Sequence, residues 1–492
     1  MNLSLKQKTF ENIGYNFLAR IITFSLQIPS SIILGRQLTS DDYGIVGFAT
    51  IFINFLMNFS DLGIRRAVIQ KVELSERGLY TGFTIKFILG LLIFSFAFFL
   101  TPIANIFLNN NAVEGVIKLL SLNFIMNSFV FLPEVILTKE LNYRKLSMFQ
   151  VVTGSVTSII SIILALNGFK YWSIVIANVC STVISTIFIN ILMPFKIRFY
   201  FEKKVASEFL HFGSRLFLSG IIAFIIFNVD NFIIGTVKGS QTLGYYSIAF
   251  TWGSMACIIL GSVVNNVLFP TFSKMQGDKE RLKKVYLEIM EYISFIAILA
   301  NMGMLIVSKE FLFIILGGST DKWLPALTIF RILCIYGMSR ALLEPIGSVI
   351  LALGKTNLLL KSCLIVGALE LCVIYPALRY FGIEGVAIAI TIVYSLQYFI
   401  YFPSLRKEIN LRFSDFLIAL KPSILSALVI STCFIFFTYI NNGCSLFLFF
   451  IKLSLIVTGY VVLHGLITRW KLLKEMKYVI GNWSGYKREI RV

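Results

Sequence analysis

The chain has 492 residues, 57% of them hydrophobic, 15% aromatic and only 14% charged, with a mean hydropathy of +0.83. A soluble domain carries about a quarter charged residues, and a water-soluble core of this size could not absorb so much apolar sequence. The net charge of +19 lies in short loops between apolar runs, so it is not the footprint of a nucleic-acid binder. The 47 Phe fall in long runs rather than in alternating segments of about ten residues, which argues against an outer-membrane barrel.

A helical crossing needs about 20 apolar residues at 1.5 Å each. On that basis the first half holds candidate spans at 12–34, 43–60, 79–101, 113–134, 148–167 and 171–193. The second half holds 213–236, 243–268, 286–308, 325–353, 358–380 and 384–405, followed by a pair at 415–439 and 445–468. The expected fold is an all-α polytopic membrane protein of about 14 transmembrane helices. Its expected parts are an N-terminal six-helix lobe (1–193), a basic cytoplasmic linker (194–212), a C-terminal six-helix lobe (213–405), an extra helix pair (406–468) and a basic tail (469–492). The opening MNLSLKQKTFENIGYNFLAR runs directly into a full-length span, as a retained first helix does and a cleaved signal does not.

The two halves share a local repeat. Leu34–Phe52 aligns without a gap on Ile234–Trp252, placing Gly35 on Gly235, Ser40 on Ser240, Gly44 on Gly244 and Ala49 on Ala249. Each segment joins two apolar runs, as expected if one bundle was duplicated. Transporters are commonly built from such repeats, with the substrate site where they meet.

Orientation follows from basic residues in loops. With the N-terminus cytoplasmic, alternate loops collect 29 Lys and Arg on that side, against Arg36, Lys170, Lys238, Lys309, Lys322 and Arg379 on the other. Both termini are then cytoplasmic. The linker PFKIRFYFEKKVASEFLHF and the loop FPTFSKMQGDKERLKKV read either as anchors on anionic lipid or as a gate. The tail from Arg469 reads as an interfacial helix with a basic end.

Ionisable groups within spans are costly and mark function by default. The embedded groups of most interest are the cations Arg20, Lys86, Arg215, Arg331 and Arg340 and the acids Asp230, Glu344 and Glu370. Arg offers a permanently charged donor fork suited to phosphate oxygens. Arg20, Arg215 and Arg340 are the first candidates for binding an anionic headgroup in one aqueous cavity. Against that, Arg20, Arg215 and Lys86 lie near helix ends and can snorkel to the interface, while Arg340 and Glu344 can pair at i, i+4. Asp230, Glu344 and Glu370 are either coupling-ion or structural acids. Pro29 and Pro345 follow Arg20 and Arg340 in their helices, consistent with bends. Seven Cys form no CxxC pair and there are only two His, His211 and His464, so neither a metal site nor a Ser-His-Asp arrangement is expected.

Several segments resemble a known family. They include GRQLTSDDYGIVGFATIFINFLMNFSDLGIRRAVIQK (35–71), TKELNYRKL (138–146), VDNFIIG (229–235) and LGYYSIAF (243–250). LFPTFSKMQGDKERLKKVY (268–286), WLPALTIFRIL (323–333) and GSVILALGKTNLLLK (347–361) continue the likeness. Together they resemble bacterial polysaccharide flippases of the WzxC-like group, within the multidrug/oligosaccharidyl-lipid/polysaccharide exporter superfamily. The resemblance implies two six-helix lobes around a cavity and transport of an undecaprenyl-pyrophosphate-linked oligosaccharide across the bacterial cytoplasmic membrane. It implies no enzymatic activity and no cofactor beyond coupling to H⁺, Na⁺ or the membrane potential. Its partners would be the lipid-linked oligosaccharide, membrane lipids and other polysaccharide-assembly membrane proteins, and no nucleic acid.

Two alternatives remain. A cation-coupled multidrug exporter of the same superfamily would favour embedded acids, and here the cations outnumber them. A membrane glycan polymerase or ligase would carry long catalytic outer loops; these are short and offer chiefly Asp41, Asp42, Glu114 and Asp321. The basic asymmetry makes a direct prediction. Reporter fusions at Asn109, Ser319 and Asn441 should read outside, and those at Lys203, Lys279 and Lys487 inside; two reversed sites would overturn the map.

Overall fold

The computed structural model describes the backbone of residues 3–71, 75–108, 111–440 and 445–471. The side chains of 3–13, 17, 100, 103–108, 215–216, 262–267 and 435–440 lie outside the described set, as does the tail beyond 471. All regular structure among the described residues is helical, as apolar sequence in a bilayer requires: a helix satisfies its own backbone groups where no water can.

Two compact units emerge, Met1–Ser247 and Ile248–Val492. The first contains α1 (Leu3–Gln37), α2 (Ser40–Asp61), α3 (Ile64–Gln70), α4 (Glu76–Leu108), α5 (Asn111–Lys139), α6 (Tyr143–Leu166), α7 (Trp172–Leu192) and most of α8 (Lys203–Gly253). The second contains α9 (Met255–Ser273), α10 (Lys279–Ile306), the short α11 (Ser308–Glu310), α12 (Leu327–Ala352), α13 (Thr356–Ser395), α14 (Gln397–Ile409), α15 (Phe413–Ile440) and α16 (Leu446–Ile467).

Twelve helical runs among the described residues are long and apolar enough to cross a membrane. Two of them exceed a single crossing. Lys203–Gly253 has 51 residues and Thr356–Ile409 has 54, each about 75–80 Å of helix against a hydrocarbon core of about 30 Å. Each contains a glycine at positive φ, Gly239 at 82° and Gly382 at 67°, conformations that a side chain disfavours. At Gly239 the chain doubles back: the Tyr246 hydroxyl returns to Asp230, 2.6 Å away. The eighth span expected at 243–268 is broken between Gly253 and Met255. There Gly337 of α12 packs so closely that a Cβ on it would overlap the Gly253 carbonyl.

Within the first unit, α1 packs along α6, and α5 packs on α4 and α7. Small and hydroxylated residues hold these seams: Ser30 bonds Ser161 at 2.9 Å, and the Ser181 hydroxyl donates to the Thr153 carbonyl at 2.8 Å. Such pairs let backbones approach where lipid gives helices no hydrophobic reason to associate. The start of α2 is set by a capping box in which Thr39 and Asp42 bond each other's backbone N–H at 3.2 and 2.9 Å. Asp42 also accepts from the Tyr171 N–H at 3.3 Å, fixing α2 to the start of α7.

The basic joint at 194–212 is docked rather than loose. Phe195 and Phe199 pack on Phe83, with ring centroids 5.5 and 5.8 Å apart. The Tyr200 and Glu202 N–H groups donate to the Thr84 and Thr81 hydroxyls. Val205 and Phe209 are buried among Ile64, Val68, Phe131 and Val135. Val205, Ala206 and Phe209 join the core while Phe199 and Phe201 stay exposed.

In the second unit, the core gathers Tyr286, Met290, Ala297, Ile346, Leu405 and Phe416 from α10, α12, α14 and α15. The terminal helices dock here: Ser423 of α15 bonds Ser294 of α10 at 3.1 Å, and the His464 ring of α16 packs at a 60° tilt against Phe295, 4.7 Å between centroids. A buried ion pair of Lys452 on α16 with Glu310 on α11 completes the attachment. Removing one member of such a pair strands the other charge, at about 3–5 kcal/mol. Lys452→Met should therefore cut unfolding resistance in mixed micelles by about that amount, and Lys452→Met with Glu310→Met should recover most of it. Additive losses in the double variant would contradict the pairing.

Candidate functional site

The most detailed geometry in the first unit lies where α2 runs antiparallel to the first arm of α8. At one end Leu62 and Gly63 meet Gly213; a Cβ on Gly63 would come 2.8 Å from the Gly213 Cα, and one on Gly213 would overlap the Leu62 carbonyl. At the other end the contact is reciprocal. A Cβ on Gly44 would overlap the Ser240 carbonyl, and one on Gly244 would overlap the Ser40 carbonyl. The Ser240 hydroxyl donates to Asp41 across the same contact. These are the aligned positions of the sequence repeat.

Between these ends phenylalanines hold the helices apart. Phe59 meets Phe217 at 5.0 Å, Phe55 meets Phe224 at 5.6 Å and Phe48 meets Phe232 at 5.8 Å. A cleft of about 340 Å³ opens among Phe48, Phe52, Phe55, Phe224, Asn228 and Phe232, within the usual size for small-ligand sites.

Two of the sequence-predicted charged residues brace this seam. Lys86 of α4 is buried and donates to the Ser60 carbonyl at 2.7 Å and the Ser60 hydroxyl at 3.2 Å, with Asp61 at 3.6 Å. It thus clamps the end of α2 beside Gly63. Asp230 of α8 is buried and accepts from Tyr246 at 2.6 Å, from the Asn231 N–H at 2.7 Å and from the Asn231 amide at 3.0 Å. These bonds join the two arms of α8. Arg20 is exposed on α1, and the Arg215 side chain lies outside the described residues.

In the second unit, Arg340 of α12 sits in an aromatic cage. Its guanidinium accepts no proton and donates to the Tyr336 hydroxyl at 2.7 Å. Its central carbon lies 5.8 Å from the Tyr336 ring and 5.5 Å from the Tyr394 ring. Cation–π attraction to both faces holds a charge at membrane depth. Glu344, one turn on, places its carboxylate against Gly261 of α9, where a Cβ would lie 3.4 Å away. Arg331 donates to the Ser308 hydroxyl at 2.9 Å. Glu370 of α13 is buried, with 2% exposure.

Sequence reasoning missed the Lys452–Glu310 pair and the aromatic partners of Arg340. Lys452 was visible as a lone cation within FLFFIKLSLIV; its partner lies 142 positions away, beyond any local pattern.

Comparison with known proteins bears on this geometry. A family model described as Polysaccharide biosynthesis protein matches residues 33–328, which include the whole α2–α8 seam. Lipopolysaccharide biosynthesis protein WzxC of Escherichia coli (strain K12) is 24% identical over 373 residues, 73% of each chain. An uncharacterized membrane protein in the cps region of Klebsiella pneumoniae is 25% identical over 491 residues, covering 96% of this chain and 98% of its own. Among solved structures, the lipid II flippase MurJ in an inward closed conformation superposes with a TM-score of 0.75, covering 94% of this chain and 99% of that one at 15% identity, a likeness of fold.

The reciprocal glycine contact predicts a sharp contrast. Gly44→Leu and Gly244→Leu force a side chain into backbone and should cost about 3 kcal/mol or more, read as loss of monodisperse protein on size exclusion. Gly47→Ala, whose Cβ would meet the Ser247 hydroxyl at 3.4 Å and the Leu243 side chain at 3.9 Å, should behave as the parent. Equal tolerance of all three would show that the helices do not touch there.

Proposed function

We propose that this chain, which belongs to the polysaccharide biosynthesis protein family, is a flippase that carries a lipid-linked oligosaccharide across the bacterial cytoplasmic membrane for surface polysaccharide assembly. The observation that carries this reading is the family match over 33–328 in an all-helical, multi-pass membrane protein whose fold is that of a lipid II flippase. It is a transporter and not an enzyme.

The residues divide into two proposed groups. Arg20 and Arg340, with Arg215, are the cations offered to the diphosphate of the substrate, because guanidinium forks match phosphate oxygens and stay charged when partly desolvated. The Tyr336–Tyr394 cage supports this for Arg340, since it holds and orients the guanidinium. Lys86, Arg331 and Asp230 are proposed as structural, on the strength of their partners Ser60, Ser308 and Tyr246. Glu370 is the proposed coupling acid: a carboxyl buried at membrane depth needs a proton, a cation or a charged partner, and exchanging H⁺ or Na⁺ there would reset the carrier. Alternating access and cytoplasmic termini complete the reading, the latter from the basic asymmetry of the loops.

The test is export in cells lacking the parental gene. Arg20→Ala, Arg215→Ala and Arg340→Ala should each lower surface glycan about tenfold, the loss of one charge-assisted contact of roughly 1.4 kcal/mol or more, at unchanged protein level. Lysine should restore part of it at Arg20 and little at Arg340, where a planar fork is stacked on rings. Normal export by all three alanine variants would remove the arginines from the substrate path.

A further inference from the structure

We propose that the phenylalanine-walled cleft between α2 and α8 is a binding slot for a segment of polyisoprenoid chain. This inference rests on the lipid-linked substrate proposed above and adds where the lipid is held. The cleft is lined by Phe48, Phe52, Phe55, Phe224 and Phe232 with Ile51, Ile225 and Val229, and Asn228 is its sole polar wall. The Asn228 amide already donates one N–H to its own helix at the Phe224 carbonyl, 2.9 Å away, and no charged side chain lines the slot. A phosphate or a sugar would enter it stripped of water and with almost no polar partners, which is costly. A hydrocarbon would not.

The shape follows from the seam. Close glycine contacts at Gly63–Gly213 and Gly44–Ser240 shut both ends, while the rings of Phe55–Phe224 and Phe48–Phe232 wedge the middle open. Those two aromatic pairs are seven residues apart on α2, about 10 Å of helix. An opening of that length and about 340 Å³ in volume takes a short stretch of chain from the side and not a whole lipid. Ile225 and Phe232 are exposed at its edge, within the helical runs that cross the membrane.

The occupant is an isoprenoid rather than an acyl chain for two reasons. Regular double bonds leave an isoprenoid fewer free rotors to freeze on binding, which lowers the ordering cost. Its methyl branches and alkenes fill the space between aromatic faces that a straight methylene chain leaves partly empty. Asp230, on the opposite side of α8, is engaged by Tyr246 and so presents no charge to the slot.

Photolabelling of the full chain in nanodiscs with a diazirine-tailed prenyl diphosphate tests this. Label should map to 48–55 and 224–232, should be displaced by undecaprenyl phosphate but not by phosphatidylglycerol, and should fall at least about tenfold in Ile51→Trp, which fills the slot. Ile51→Phe serves in its place if the larger side chain prevents folding. Displacement by phosphatidylglycerol as readily as by undecaprenyl phosphate would make this an acyl-chain slot and overturn the proposal. So would undecaprenyl-sensitive label confined to other helices, an outcome that leaves the flippase reading standing. Label insensitive to undecaprenyl phosphate everywhere on the chain would overturn both.

Discussion

Lipid gives two transmembrane helices no hydrophobic reason to associate, so their contact rests on close packing and on polar groups that would otherwise go unmet. The α2–α8 seam is built on that constraint. Glycines at its ends bring backbone against backbone, and the reciprocal packing of Gly44 on Ser240 and Gly244 on Ser40 uses two of the four identical pairs of the sequence repeat. Lys86 holds one end of α2 through Ser60, and the Thr39–Asp42 box with Tyr171 holds the other. With both ends fixed, the intervening phenylalanines cannot close the gap, and a cleft results from packing geometry alone.

Several of the embedded charges have partners suited to their place. Asp230 is enclosed by a tyrosine and an asparagine on its own hairpin. Lys452 meets a carboxylate, which docks the last helix through Glu310 beside the turn at 311–316. Arg340 is held by tyrosine rings, which stabilise the cation. That difference in partner chemistry, more than the count of charges, is what the proposed roles of these groups rest on.

Much of the architecture was legible because it is one-dimensional. Apolar run length, basic loops and the Gly-Ser repeat are local patterns, and they gave the helical class, the order of spans and the hairpin at Gly239. What was hidden depends on distance. The break at Gly253 arises from Gly337 of a helix some eighty residues later, and FEKKVASEF in the joint reads as surface because its charges are contiguous while its packing partner, Phe83, is remote. Among site residues, sequence marked Lys86, Asp230 and Arg340 as costly to bury without saying what they touch. The cleft was invisible, since Phe48, Phe52 and Phe55 look like any lipid-facing stripe until Phe224 and Phe232 stand opposite.

The most direct test of the account is translocation by the purified chain alone. In proteoliposomes loaded with an undecaprenyl-diphosphate oligosaccharide on the inner leaflet, the glycan should become accessible to an external glycosidase with time, and only in vesicles containing the protein. Glycan that stays protected in protein-bearing vesicles under an imposed H⁺ or Na⁺ gradient of either sign, while the same protein is folded and monodisperse, would contradict a flippase.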